Sequence, residues 1–171
     1  MIHRYSDRVT TYGQTHTSTG VPARRVTRRE SNTLRDKRRV LYVNADPESR
    51  ILVTRLSRRW PQVETVMADT AHDGVRSALA HRPDLIMLDV ELSDMGGATL
   101  LARLRALPAT ALTPIVALST DNTPEHRRVL HEAGASACLA RPVNIADVQR
   151  YVGILLGLGS LNAQLSIRAW G

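Results

Sequence analysis

From Val40 onward the chain alternates short apolar runs with segments whose apolar residues recur at helical spacing, five times over. The runs are Val40–Val43, Val63–Met67, Leu85–Leu88, Ile115–Leu118 and Ala137–Ala140. Most lack the polar alternation of a half-exposed strand, which marks strands covered on both faces. Asp46 and Pro47 read as the N-cap and first residue of a helix that carries Ile51, Leu52 and Leu56 and reaches Trp60. Thr70–His81 forms a second helix with Val75, Ala78 and Leu79 inward. After a Gly96-Gly97 turn, Ala98–Ala106 is a third, with Leu100, Leu101 and Leu104. Pro124–Ala133, closed by Gly134, is a fourth, and Asn144 opens a fifth that carries Ile145, Val148, Val152 and Leu155. Parallel neighbours need crossover connections, so this alternation predicts an α/β fold: a doubly wound, five-stranded parallel sheet with helices on both faces. Ligands of such folds gather beyond the carboxyl ends of the strands. Asn44, Ala45 and Asp46, then Asp89, then Ser119 and Thr120, then Arg141 are thereby expected around one crevice.

Charge is distributed unevenly. Residues 1–39 hold ten Lys and Arg against three Asp and Glu, and the remainder holds thirteen of each, so the net charge of +7 belongs to the N-terminal arm. That arm has too few large apolar residues to offset its ordering entropy and is expected to be disordered. It is either a solvated tail or an over-long start, or else an Arg-rich segment for phosphate groups of nucleic acid; with few aromatics to stack on bases, the first is favoured. The single cysteine, Cys138, rules out an internal disulfide. No apolar run is long enough to span a bilayer and the N-terminus lacks a signal-peptide core, so no membrane attachment and a cytoplasmic location are expected.

Four ordered motifs carry a family resemblance. Pro83-Asp84-Leu85-Ile86-Met87-Leu88-Asp89-Val90-Glu91-Leu92-Ser93-Asp94-Met95-Gly96-Gly97 resembles the phosphoacceptor region of response-regulator receiver domains. Pro114-Ile115-Val116-Ala117-Leu118-Ser119, Gly134-Ala135 and Leu139-Ala140-Arg141-Pro142 follow at family spacing. The resemblance implies a flavodoxin-like (βα)5 fold over residues 40–158, between the arm of residues 1–39 and a C-terminal extension of residues 159–171. It implies phosphorelay signalling, with an aspartate that accepts a phosphoryl group from a histidine kinase. No enzyme is expected beyond self-phosphorylation and dephosphorylation at that aspartate.

On this resemblance Asp89 is the phosphoacceptor, a carboxylate nucleophile at a strand end. Arg141 stands where the family has a lysine, keeps its charge, and has a planar fork able to pair bidentately with Asp89. It is expected within salt-bridge reach of that carboxylate, and the Arg141-Pro142 peptide is expected to be cis, as its family counterpart is. Ser119 matches the hydroxyl that signals phosphorylation. The departures lie in the metal site and the switch. Receivers hold Mg²⁺ with an acidic pair after the first strand, and the matching positions are Asn44 and Ala45, which leaves two negative charges missing. Asp46 is expected to cap the first helix rather than replace them. No metal is therefore expected, with Asp46, Asp89 and Glu91 as weak candidates and Mg²⁺ bound only if the degenerate site still holds it. Thr120 adds a branched side chain beside the pocket, and Cys138, expected to be a buried strand residue, stands where a switch aromatic is common.

The histidines show no metal-ligand spacing: His126 and His131 do not share a helical stripe, and His72 and His81 are expected exposed. Ile154, Leu158, Leu161 and Leu165 form a second apolar row, which either folds back over the domain or makes a homodimer or partner interface. The reading is a stand-alone atypical receiver working through protein contacts with a histidine kinase or other signalling protein, with absent or weak, Mg-independent phosphorylation at Asp89. The alternatives are an ordinary Mg-dependent receiver and a nucleic-acid-binding protein acting through residues 1–39.

Overall fold

In a computed structural model, residues 37–46 and 49–158 are described, Ser49 and Arg50 by backbone alone. The expectations for residues 1–36, for Pro47 as first helical residue, and for residues 159–171 with Leu161 and Leu165 lie outside the described residues. Five strands, β1 (Arg38–Val43), β2 (Val63–Ala68), β3 (Leu85–Asp89), β4 (Ile115–Ser119) and β5 (Ala137–Ala140), alternate with five helices. These are α1 (Ser49–Arg59), α2 (Ala71–His81), α3 (Gly97–Ala106), α4 (Pro124–Glu132) and α5 (Ile145–Leu155). The sheet is wholly parallel in the order β2-β1-β3-β4-β5. This is the flavodoxin-like arrangement, and the order reverses at β1 and β3, where the crevice opens.

Alternation along each strand sorts the apolar residues onto two cores. Val40, Tyr42, Leu85, Met87, Val116 and Leu118 face α1 and α5, where Leu52, Leu56, Val148 and Val152 cover them. Leu41, Val43, Ile86, Leu88, Ile115 and Ala117 face the other way, onto Ala71, Ala78, Leu100, Leu101, Leu104 and Leu130 of α2, α3 and α4. Each fully buried Leu or Ile contributes about 1.5–3 kcal/mol, so a one-residue slip in any central strand would exchange the two faces at great cost.

Several boundaries differ from the sequence reading. β1 begins at Arg38, two residues early, because the backbone of Arg38 and Arg39 pairs beside Val63 and Glu64; both arginines belong to the sheet and not to the arm. Leu79 is 49% exposed, since α2 turns Ala71, Gly74 and Ala78 onto the sheet and Leu79 falls beyond that stripe. At the end of α5 the buried position after Val148 and Val152 is taken by Leu156, one residue past the expected Leu155, which is half-buried. Leu158 packs onto the core under α1 and α5, while Ile154 lines a groove with Tyr151 and Cys138. His81 is half-buried, its carbonyl accepting from Arg39. Cys138 is likewise half-buried, on the edge strand β5 against the α4-side core, and that burial pushes its thiol up in pKa.

The helix starts aim the loops at the crevice. Thr70 caps α2 through Asp73 N, Thr123 caps α4 through His126 N with Pro124 following, and Asn144 caps α5 through Ala146 N. α3 starts at Gly97, where a Cβ would lie 2.4 Å from Val90 Cβ; only glycine lets the helix start this close to the end of β3.

Candidate functional site

The carboxyl ends of β1, β3, β4 and β5 bring the expected residues together. Asp89, the last residue of β3, is 5% exposed. Its Oδ1 accepts from the Glu91 amide at 3.0 Å, and its Oδ2 accepts from Arg141 Nη1. Arg141 follows β5, where its amide bonds the Ser119 carbonyl at 2.8 Å, and the Arg141-Pro142 peptide is cis. The other arm of its fork, Nη2, reaches Asp46 Oδ2 at 3.2 Å. One guanidinium therefore bridges two carboxylates from opposite sides of the crevice.

Asn44 is 1% exposed, and both ends of its amide are engaged: Nδ2 donates to Tyr42 Oη at 2.9 Å, and Oδ1 accepts from the Asp46 amide at 2.5 Å. Ala45 is exposed and has no side-chain donor atom. Asp46, expected as a helix cap, here reaches Arg141, and the Pro47 and Glu48 that follow it are outside the described residues.

Ser119, 4% exposed at the end of β4, is not placed on Asp89. Its Oγ lies 3.2 Å from Glu91 Oε1 and 3.2 Å from His126 Nε2, and accepts from the Asp121 amide at 3.1 Å. Thr120 is exposed and gives Glu91 Oε1 two more hydrogen bonds, from its amide at 2.6 Å and its hydroxyl at 2.5 Å. Burial of the Glu91 carboxyl opposes its ionisation, but these donors, Ser119 and the positive Arg141 outweigh it and hold the group below the usual carboxylate range. The side chain of Glu91 thus gathers the β4–α4 loop, a role its place among the weak metal candidates did not suggest. His126 was also missed. The signal was present in Thr123-Pro124, a helix start that puts the third helical residue back over the end of β4.

Residues 40–152 match the family profile of the response regulator receiver domain. The chain belongs to that family. Its receiver domain is 32% identical over 113 residues to the sensory/regulatory protein RpfC of Xanthomonas campestris pv. campestris, a match that covers 64% of this chain and 15% of that protein. It is 37% identical over 86 residues to the two-component response regulator ORR8 of Oryza sativa, covering 47% of this chain and 71% of the relative. The receiver domain of the sensor histidine kinase PA1611 of Pseudomonas aeruginosa superposes with a TM-score of 0.63 at 25% identity, over 71% of this chain and 98% of that one. That structure was solved with a magnesium ion coordinated in its active site cleft. Receiver domains of this family serve two-component signalling, where they meet histidine kinases and other signalling proteins. Among the described residues no helix is long and apolar enough to cross a membrane.

The donor set here does not fit such an ion. A small, hard cation wants several oxygen ligands, carboxylates among them, in octahedral array. Asn44 is committed, Ala45 offers nothing, one oxygen each of Asp46 and Asp89 is taken by the single guanidinium of Arg141, and Glu91 is turned to Ser119 and Thr120.

Proposed function

We propose that this chain is an atypical receiver whose phosphoacceptor carboxylate is paired at rest with its own arginine, and that it signals through protein contacts. The observation that carries the reading is the Arg141 fork laid across Asp89 and Asp46. Charge-assisted pairs of this kind are among the stronger protein hydrogen bonds. In transfer from a phosphohistidine, Asp89 would form the new P–O bond while the P–N bond breaks and the imidazole leaves with its electron pair. The nucleophile must first be freed from the guanidinium. Arg141, once displaced, is the cation left to meet the phosphoryl oxygens, and without a divalent ion the step is slow. Phosphorylation at Asp89 is accordingly weak or absent and independent of Mg²⁺. No chemistry beyond transfer to, and hydrolysis from, Asp89 is proposed, and the partner is a histidine kinase or another signalling protein.

Treatment of the full chain with a small acyl phosphate, with and without Mg²⁺, followed by intact mass, tests this. Slow or no addition, equal in both conditions, is expected. Rapid addition of one phosphoryl group that requires Mg²⁺ and is lost in D89N would make the chain an ordinary receiver and overturn the reading.

A further inference from the structure

The first turn of α4 reaches the crevice through His126, which takes no part in the pair at Asp89. Its Nε2 lies 3.2 Å from Ser119 Oγ and its Nδ1 lies 3.7 Å from Asp121 Oδ2. Proton bookkeeping decides how this chain of groups is arranged. Glu91 is ionised, so Ser119 must donate its one hydroxyl proton to Glu91 Oε1. With that proton committed, Ser119 Oγ can meet His126 only as an acceptor, and Nε2 must carry the hydrogen. A neutral ring then presents the lone pair of Nδ1 to the Asp121 carboxylate. A proton at Nδ1 turns that 3.7 Å approach into an ion pair and leaves the bond to Ser119 intact. Only the imidazolium makes every contact from Asp121 through His126 and Ser119 to Glu91 a donor facing an acceptor.

Charge around the ring comes from few groups: Glu125 and Arg127 flank His126 on α4, and Arg141 acts on Glu91 from the crevice. The cavity between α3 and α4 is lined from α3 by Gly97, Ala98 and Thr99, and Glu91, Asp121 and His126 are the only ionisable residues in its lining. Asp121 is itself held below the usual carboxylate range, by the amide and side chain of Thr123 and, more weakly, by His126. Neither carboxylate therefore changes charge between pH 5 and 8, whereas histidine as a class does.

We infer that His126 is a positioning residue for Ser119: it commits the hydroxyl to Glu91 and fastens α4 to the β3–α3 loop, most firmly when the ring is protonated. The inference rests on the reading of Ser119 as the hydroxyl that answers a group on Asp89. To turn toward Asp89, that hydroxyl must let go of Glu91 or of His126, so the turn is felt in α4 at once. Acid opposes it.

The test uses NMR of the full chain from pH 5 to 8 with no phosphodonor present. The Thr120 and Arg127 amide resonances should follow a single ionisation, and that shift should be lost in H126Q, whose amide can still donate to Ser119. Nitrogen-detected spectra of the unsubstituted chain should find Nε2 of His126 protonated throughout. An equal Thr120 shift in H126Q, or an unprotonated Nε2 at pH 8, would overturn the inference. Rapid Mg²⁺-dependent phosphorylation would overturn the preceding reading instead, and leaves the NMR result to stand by itself.

Discussion

Arg141 has two jobs at once, and its variants should separate them. Asp89 is nearly excluded from water, with its side chain 7% exposed, while Arg141 and Asp46 retain 22% and 35%. Removal of the cation strands a buried carboxylate, so R141A should lower stability by about 2–4 kcal/mol. The cost comes from the charge left behind, not from the lost bond, so D89N combined with R141A should recover most of it in urea denaturation. D46N, at the wetter end of the fork, should cost under about 1 kcal/mol. A lone R141A loss that D89N fails to relieve would mean packing, not charge, holds the residue. The Asp89 half of this bridge was legible in the sequence, because the motif and the strand ends place both residues. The Asp46 half was not. A carboxylate before a proline reads locally as a cap, and only the parallel sheet, which gathers the carboxyl ends of β1 and β5 on one edge, brings a guanidinium within reach.

Two loops are held by single side chains acting between elements. Asp94, on the β3–α3 loop, accepts from the amides of Ala71 and His72 and from the His72 ring, at 2.9, 3.1 and 2.7 Å. It thereby supplies negative charge at the start of α2. The Ala71 amide, the His72 ring and the remaining contacts lower its pKa from 3.8 to about 2. A depressed folded-state value means that the ionised group stabilises above 3.8 and that this contribution is lost as the pH falls through about 2. The Tm gap between the unsubstituted chain and D94N should close between pH 4 and 2; a gap unchanged at pH 2 would exclude the charge as its origin. At the opposite end of the sheet Arg105 donates to the carbonyls of Gly134, Thr110, Ala111 and Thr113, the shortest at 2.6 Å. Gly134 sits at φ 111°, where a Cβ would come within 2.6 Å of Arg105 Cγ, so glycine is needed for both backbone and space. R105A should cost about 1–3 kcal/mol in chemical denaturation, and R105K, which cannot fork across the two loops, should restore less than half. The Gly134 turn was readable as a helix stop. Nothing in the sequence singled out Arg105 from the other arginines, because its partners are backbone oxygens brought together only by the fold.

For the molecule as a whole, the sheet and its two cores were legible because apolar period and strand length carry that information directly: Leu85–Leu88 and Ile115–Leu118 are strands in both readings, and the pairing puts them inside the sheet. At the helix edges Leu79 and Leu155 were read as inward and are not buried, since small residues on α2 and a final turn on α5 that buries Leu156 decide which side faces inward. The crevice was legible by position and only in part by partner: Arg141 meets Asp89 as read, while Ser119 shares its hydroxyl with Glu91 and His126. The Arg141 bridge also bears on how the molecule meets its surroundings. A counter-charge that is part of the polypeptide has fixed stoichiometry, so it can be neither chelated nor diluted away. Addition of EDTA to the full chain should leave Tm and the Asp89 resonances unmoved, and a fall in either would reveal a dependence on divalent ions. On this account the idle state of the pocket is set when the chain is synthesised, and stays the same whatever the supply of free magnesium around it.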